Sequence, residues 1–207
     1  ACLASYPTEP LALQLAAQFY DTSGRSEKGT DLWRKAVTEA PENLSFRVML
    51  AERVAAAGKE DEAQAILVEA AESFGTPGAW QVLSDFQRKR GRSDEAAASI
   101  ERAIQLAGGG DDTLRFAQGD LYAEPGRTDK AEEVLETIQE PTYKELLRGR
   151  ILLSKGDPKG ALEAFDAGIR RWPNNAVARY LAGIAARDAG DRDRAISELR
   201  EAERNDP

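Results

Sequence analysis

The chain has 207 residues, 42% of them hydrophobic, a formal net charge of −8 and no histidine. That is enough apolar material for a packed core. The acidic balance argues against nucleic acid or an anionic membrane as main partner, because both require clustered lysine and arginine, and the lack of histidine removes imidazole catalysis and imidazole metal sites.

One cysteine, Cys2, makes neither an internal disulfide nor a thiolate cluster. No apolar run approaches the roughly 20 residues of a membrane-spanning helix, so no direct membrane insertion is expected. In chain order, residues 10–22 and 28–40 predict a helix pair around Gly24. Residues 44–57 and 60–73 predict a second around Gly58, and 78–90 and 94–107 a third around Gly91. Residues 112–123 and 129–139 form a fourth around Gly126, 143–155 and 159–171 a fifth around Gly156, and 176–189 and 193–204 a sixth around Gly190. The turn glycines are 34, 33, 35, 30 and 34 residues apart. Each ends a first helix with a left-handed residue, for which glycine has no steric penalty.

Other positions keep the same register. A small residue stands seven before each glycine: Ala17, Ala51, Ser84, Gly119, Gly149 and Gly183. Alanine follows at five, with Gly29 the exception, and a large apolar residue at nine: Trp33, Leu67, Ile100, Leu135, Phe165 and Leu199. At twelve comes a small residue again, except for Ile138. Small residues let two helices approach while the large one fills the space between them. Ser93, Thr128, Asp157 and Asp191 are expected N-caps, and Pro41, Pro173 and Pro207 end second helices. The fourth repeat has lost about four residues near Gln139–Tyr143, which predicts a shortened helix or a kink.

This register resembles the tetratricopeptide repeat family, whose pattern runs Trp, Leu-Gly, Tyr, Ala, Phe, Ala and Pro over about 34 residues. Leu181–Gly183, Ala195, Leu199, Ala202 and Pro207 match it best. Gly149, Ala161, Phe165 and Pro173 match in the fifth repeat, Trp80 and Leu83 in the third, and Tyr20, Trp33, Ala36 and Pro41 in the first. The resemblance implies an all-α fold, a right-handed α-solenoid superhelix of stacked helix-turn-helix hairpins. The expected units are 10–43, 44–76, 77–111, 112–141, 142–175 and 176–207 in one array. Residues 1–9 then read as the tail of a preceding repeat in a longer protein, with Cys2 as a repeat residue or, alternatively, a lipid acceptor.

The family's inner face is lined by first helices and commonly holds a peptide. In the amino-terminal half the matching positions include Leu11, Gln14, Gln18, Asp21, Val48, Glu52, Gln81 and Asp85. In the carboxy-terminal half they are Phe116, Asp120, Tyr143, Leu146, Arg150, Leu153, Val177, Tyr180, Ile184 and Arg187. The second set is more apolar and carries aromatics, the usual anchors of protein interfaces, so the protein-binding groove is expected there. Tyr143 and Tyr180 could equally pack between helices. One branch of the family grips carboxylate tails with asparagines; Gln18, Glu52, Asp85, Asp120, Arg150 and Ile184 stand in those positions, so that function is not carried over.

The remaining motifs read as structural. Gly108–Asp112 lacks the Lys-Ser/Thr of a phosphate loop and the spaced acids of a calcium loop; it is expected to be an inter-repeat link. Asp111–Asp112 and Glu132–Glu133 are expected to be solvated charges at helix starts. The basic run Arg88–Arg92 closes a first helix, where cations complement the helix dipole. No nucleophile stands beside a base. The expectation is a non-enzymatic protein-interaction scaffold without cofactor or metal, serving a bacterial assembly in the envelope, in secretion or in polysaccharide export. The alternative is a docking segment of a larger enzyme or transporter.

Overall fold

A computed structural model describes residues 8–124 and 127–205. Among these, there are twelve helices and no strand. They are α1 Pro10–Thr22, α2 Ser26–Glu39, α3 Leu44–Ala56, α4 Glu60–Phe74, α5 Pro77–Lys89, α6 Ser93–Leu106, α7 Asp112–Tyr122, α8 Thr128–Thr137, α9 Pro141–Ser154, α10 Pro158–Arg171, α11 Ala176–Asp188 and α12 Arg192–Asn205. Twelve helices were expected, and their ends fall within about two residues of the expected ones. Cys2, Gly126 and Pro207 lie outside the described residues. The helices form two compact units, Ala1–Leu106 and Ala107–Pro207.

Within each unit a first helix packs on its own second helix, and that second helix packs on the next first helix. The turns show why glycine is needed. Gly156 has φ +78° and Gly190 φ +85°. Around each, two backbone N–H groups bond back to the end of the first helix: Gly156 N to Leu153 O and Asp157 N to Leu152 O, then Gly190 N to Arg187 O and Asp191 N to Ala186 O. These bonds satisfy carbonyls that the helix end would otherwise leave open. The second helix then starts on a side-chain cap, Asp157 accepting from Gly160 N and Asp191 from Arg194 N. Thr128 does not cap; it is the first residue inside α8, after Arg127 at the cap position.

The core of the amino-terminal unit centres on Leu13, Trp33, Phe46, Leu67, Leu83 and Phe86. Ser84, in the small position, donates to Ala96 O at 2.8 Å, and Ser99 to Gln87 Oε1 at 2.7 Å, both buried. Gly29, the break in the alanine pattern, has a cause that only the packing supplies. A Cβ there would lie 2.5 Å from the Arg53 guanidinium, which reaches across to Asp21 at 2.7 Å. Arg90 lies 3.5 Å from the Phe86 ring centre and pairs with Glu52 and Glu60, while Arg92 pairs with Asp61. Together with the Arg88–Asp85 pair, these contacts occupy the arginines of the basic run structurally.

In the carboxy-terminal unit the small positions are glycines with a large neighbour seated on them. A Cβ on Gly149 would lie 2.4 Å from the Phe165 ring, and one on Gly183 2.7 Å from Leu199. Phe165 is fully buried, worth roughly 1.5–3 kcal/mol for such a side chain. The shortened repeat also resolves. Helix α8 has ten residues where α10 and α12 have fourteen. Ile138 leaves it in an extended conformation with ψ 129°, yet its side chain is buried among Val134, Leu135, Leu147 and Ile151.

Candidate protein-binding face

Helices α7, α9 and α11 are the first helices of the carboxy-terminal unit, and α9 touches both others. Their shared face brings part of the expected set together. The rings of Phe116 and Tyr143 are 5.6 Å apart, and Tyr143 meets Trp172 edge-on at 6.5 Å. Thr113 Oγ1 donates to the Tyr143 hydroxyl at 3.3 Å. Arg150 pairs with Asp120 through its Nε, linking α9 to α7. Two expected groove charges thus neutralise each other.

The remaining residues divide by exposure. Val177 and Tyr180, one turn apart on α11, are 52% and 53% exposed. Ile184 and Leu153 are half-buried, and Leu153 packs against the core. Arg187 is exposed and donates from Nε to Asp188 at 2.9 Å; that partner raises its pKa further. Leu146 is only 1% exposed. It points toward Gly168 of α10, where a Cβ would lie 3.2 Å from it, so it serves the core rather than the face. Trp172 follows the end of α10 and was not among the expected face residues. It is 48% exposed and extends the aromatic face, although it lies in the loop after α10 and outside the repeat positions of a first helix.

Asp112 also departs from its expected role. Its side chain is 13% exposed, so it is not a solvated charge. Oδ2 accepts from the backbone N–H of Gln139 at 2.9 Å and of Glu140 at 2.6 Å, and Oδ1 from Arg115 at 3.1 Å. Burial pushes its carboxyl up, but the N–H groups of Glu140 and Gln139 and then Arg115 outweigh that and hold its pKa below the ordinary value. The carboxylate therefore anchors the short α8–α9 connection to the start of α7. Asp111 caps α7, accepting from Thr113 N and Leu114 N. The missing four residues were the available signal that some side chain had to satisfy this abbreviated backbone.

A tetratricopeptide repeat family model matches residues 83–142 and 146–207. The chain belongs to the tetratricopeptide repeat family. Among solved structures it is similar to a tetratricopeptide repeat protein from Parabacteroides merdae, at 13% identity, 95% of this chain, 79% of that chain and a TM-score of 0.59. It is also similar to a thermophilic tetratricopeptide repeat protein of Thermus thermophilus, at 21% identity, 84% and 96% coverage and a TM-score of 0.54. The Cut9–Hcn1 hetero-tetramer of the APC/C matches at 16% identity over 99% of this chain and 42% of that one, with a TM-score of 0.54. These likenesses concern the fold. No curated protein matches the chain. The tetratricopeptide fold supports a protein–protein interaction scaffold, and proteins of this family are generally non-catalytic. Among the described residues, no helix is long and apolar enough to cross a membrane.

Proposed function

We propose that the chain binds an extended or helical protein segment along the groove face of α7, α9 and α11, as part of a bacterial multi-protein assembly in the envelope, in secretion or in polysaccharide export. The observation that carries this reading is the pair Val177 and Tyr180, two large side chains left half-exposed side by side on a first helix. In the same unit Trp172, itself half-exposed, meets Tyr143 edge-on. Isolated exposed apolar residues are ordinary, whereas a contiguous group with aromatic anchors is characteristic of interfaces. Specificity comes from the pockets between these side chains, since Asp120 and Arg150 already satisfy each other.

The test selects binders from a displayed peptide library on the purified chain and measures each against a Val177→Ser, Tyr180→Ala double variant. Binding falls by about tenfold or more if the face is the site. Selected peptides that bind wild type and variant equally overturn the assignment, as does a library that yields no binders.

A further inference from the structure

The helices that carry the proposed face form the basic part of an acidic chain. Within a net charge of −8, residues 141–188, which hold α9, α10 and α11, carry nine lysines and arginines against five aspartates and glutamates, a net of +4 that leaves −12 for the rest. Four of the five acids are already engaged. Asp157 caps α10, Glu145 pairs with Arg148, Asp166 with Arg194 of α12, and Asp188 with Arg187. Most of the cations are engaged too: Arg150 with Asp120, Arg179 with Glu198, Lys144 with Glu136 and Lys155 with Glu132. Arg170 and Arg171 remain, together with Lys159 at the other end of α10. Both arginines are exposed, and neither has an ion pair among the described residues.

Their place in the fold gives this charge a use. They form the last turn of α10 and run straight into Trp172, which is 48% exposed and meets Tyr143 of α9. The loop ends at Asn175, which caps α11 by accepting from Ala178 N, and Val177 stands in the first turn of that helix. Two guanidiniums, an exposed indole and an exposed aliphatic side chain thus fall within eight residues. Cations in a last turn complement the helix dipole, but that leaves the guanidinium donors open, and their planar fork matches a carboxylate.

We infer, resting on the groove assignment above, that the bound segment is acidic, with carboxylate side chains on Arg170 and Arg171 and a neighbouring large apolar side chain on the exposed residues of the face. Charge complementarity of this kind selects among partners and speeds encounter. Nucleic acid and anionic lipid present long arrays of phosphate, which the acidic remainder of the chain repels; a short segment with a few carboxylates meets only the basic corner.

The displayed peptide library is panned on the purified chain and the binders are sequenced. Aspartate and glutamate should outnumber lysine and arginine, beside an aromatic or aliphatic residue. One selected peptide is then titrated on wild type, on an Arg170→Gln, Arg171→Gln variant and on the Val177→Ser, Tyr180→Ala variant. The arginine variant should bind about tenfold or more weakly. Wild-type affinity should fall as salt rises from about 0.05 to 0.5 M, because exposed charges are screened, and the arginine variant should lose most of that dependence. Glutamine keeps the helix propensity of arginine, and circular dichroism checks that helicity is unchanged. Binders that need Val177 and Tyr180 but are neutral or basic, or that ignore the arginine change, overturn the inference and leave the groove assignment standing. Acidic binders that need the arginines but not Val177 and Tyr180 overturn the groove assignment and the inference with it, as does a library without binders. Phosphatidylglycerol vesicles or a thymidine 20-mer bound as tightly as the peptide, with the same need for the arginines, show an unselective anion surface and overturn the assignment to a peptide.

Discussion

The two units solve one packing problem in different ways. At the position seven before the turn glycine, the third hairpin has Ser84, which spends its hydroxyl on Ala96 O; the fifth has Gly149, which leaves room for the Phe165 ring. The next contact along follows suit. Ser99 bonds Gln87 in the amino-terminal unit, and the corresponding residues of the fifth hairpin are Ala164 and Leu152. The amino-terminal unit also ties its hairpins with Arg53–Asp21 and Arg90–Glu52, half-exposed pairs of the kind worth little individually. The carboxy-terminal unit has such a tie in Arg150–Asp120 and also gathers aromatics on its first helices. The lesson is that the small position requires closeness of two helices, which a hydrogen bond or a missing side chain can each provide. In the fifth hairpin the second route frees volume for a large ring.

The largest effect should come from removing that ring. Phe165→Ala is expected to cost about 4 kcal/mol, and Ile100→Ala, its counterpart beside Ser84, about 3 kcal/mol. Urea unfolding of both variants compares the two packing modes directly. Equal losses would show that the glycine seat adds nothing. Next comes the exchange of the small residues. Gly149→Ser forces a side chain into a Phe165 contact and should cost about 2–3 kcal/mol. Ser84→Gly loses one buried hydrogen bond and adds a helical glycine, for about 1–2 kcal/mol. Thermal melts rank them, and a reversed order would break the comparison.

A third effect is confined to the carboxy-terminal unit. Asp112→Asn keeps the shape but removes the charge that receives two N–H groups and Arg115, with an expected loss of about 1–2 kcal/mol at neutral pH. Because the folded carboxyl titrates below its ordinary value of 3.8, its contribution is complete above that value. It disappears as the pH falls through the lower folded pKa. Stability of the variant measured from pH 6 down to 2 should therefore decline less steeply than wild type. The smallest effect on folding is expected for Tyr180→Ala, within about 0.5 kcal/mol by calorimetry because the residue is 53% exposed, while the proposed face predicts that the same change weakens peptide binding.

The helices were legible because their signals are local. A glycine able to adopt positive φ, an aspartate cap and a small residue in register act within a few positions of themselves, so spacing located twelve helices, and the residues at the repeat positions carried the resemblance to the family. The face was legible only in part. Counting from turn glycines named Val177, Tyr180 and Phe116, but the same count included Leu146, which the core absorbs, and omitted Trp172, which a loop delivers to Tyr143. Asp112 was read as a solvated acid for the same reason, since its partners Gln139 and Glu140 lie far along the chain.

By itself, then, the order of residues determined that this chain is a series of helical hairpins of one family, since periodic packing repeats its demands every 34 or so positions. Tertiary structure decided which glycine holds a ring, which acid turns inward, and which apolar residues stay uncovered. Those outcomes depend on distances between helices that no single repeat encodes.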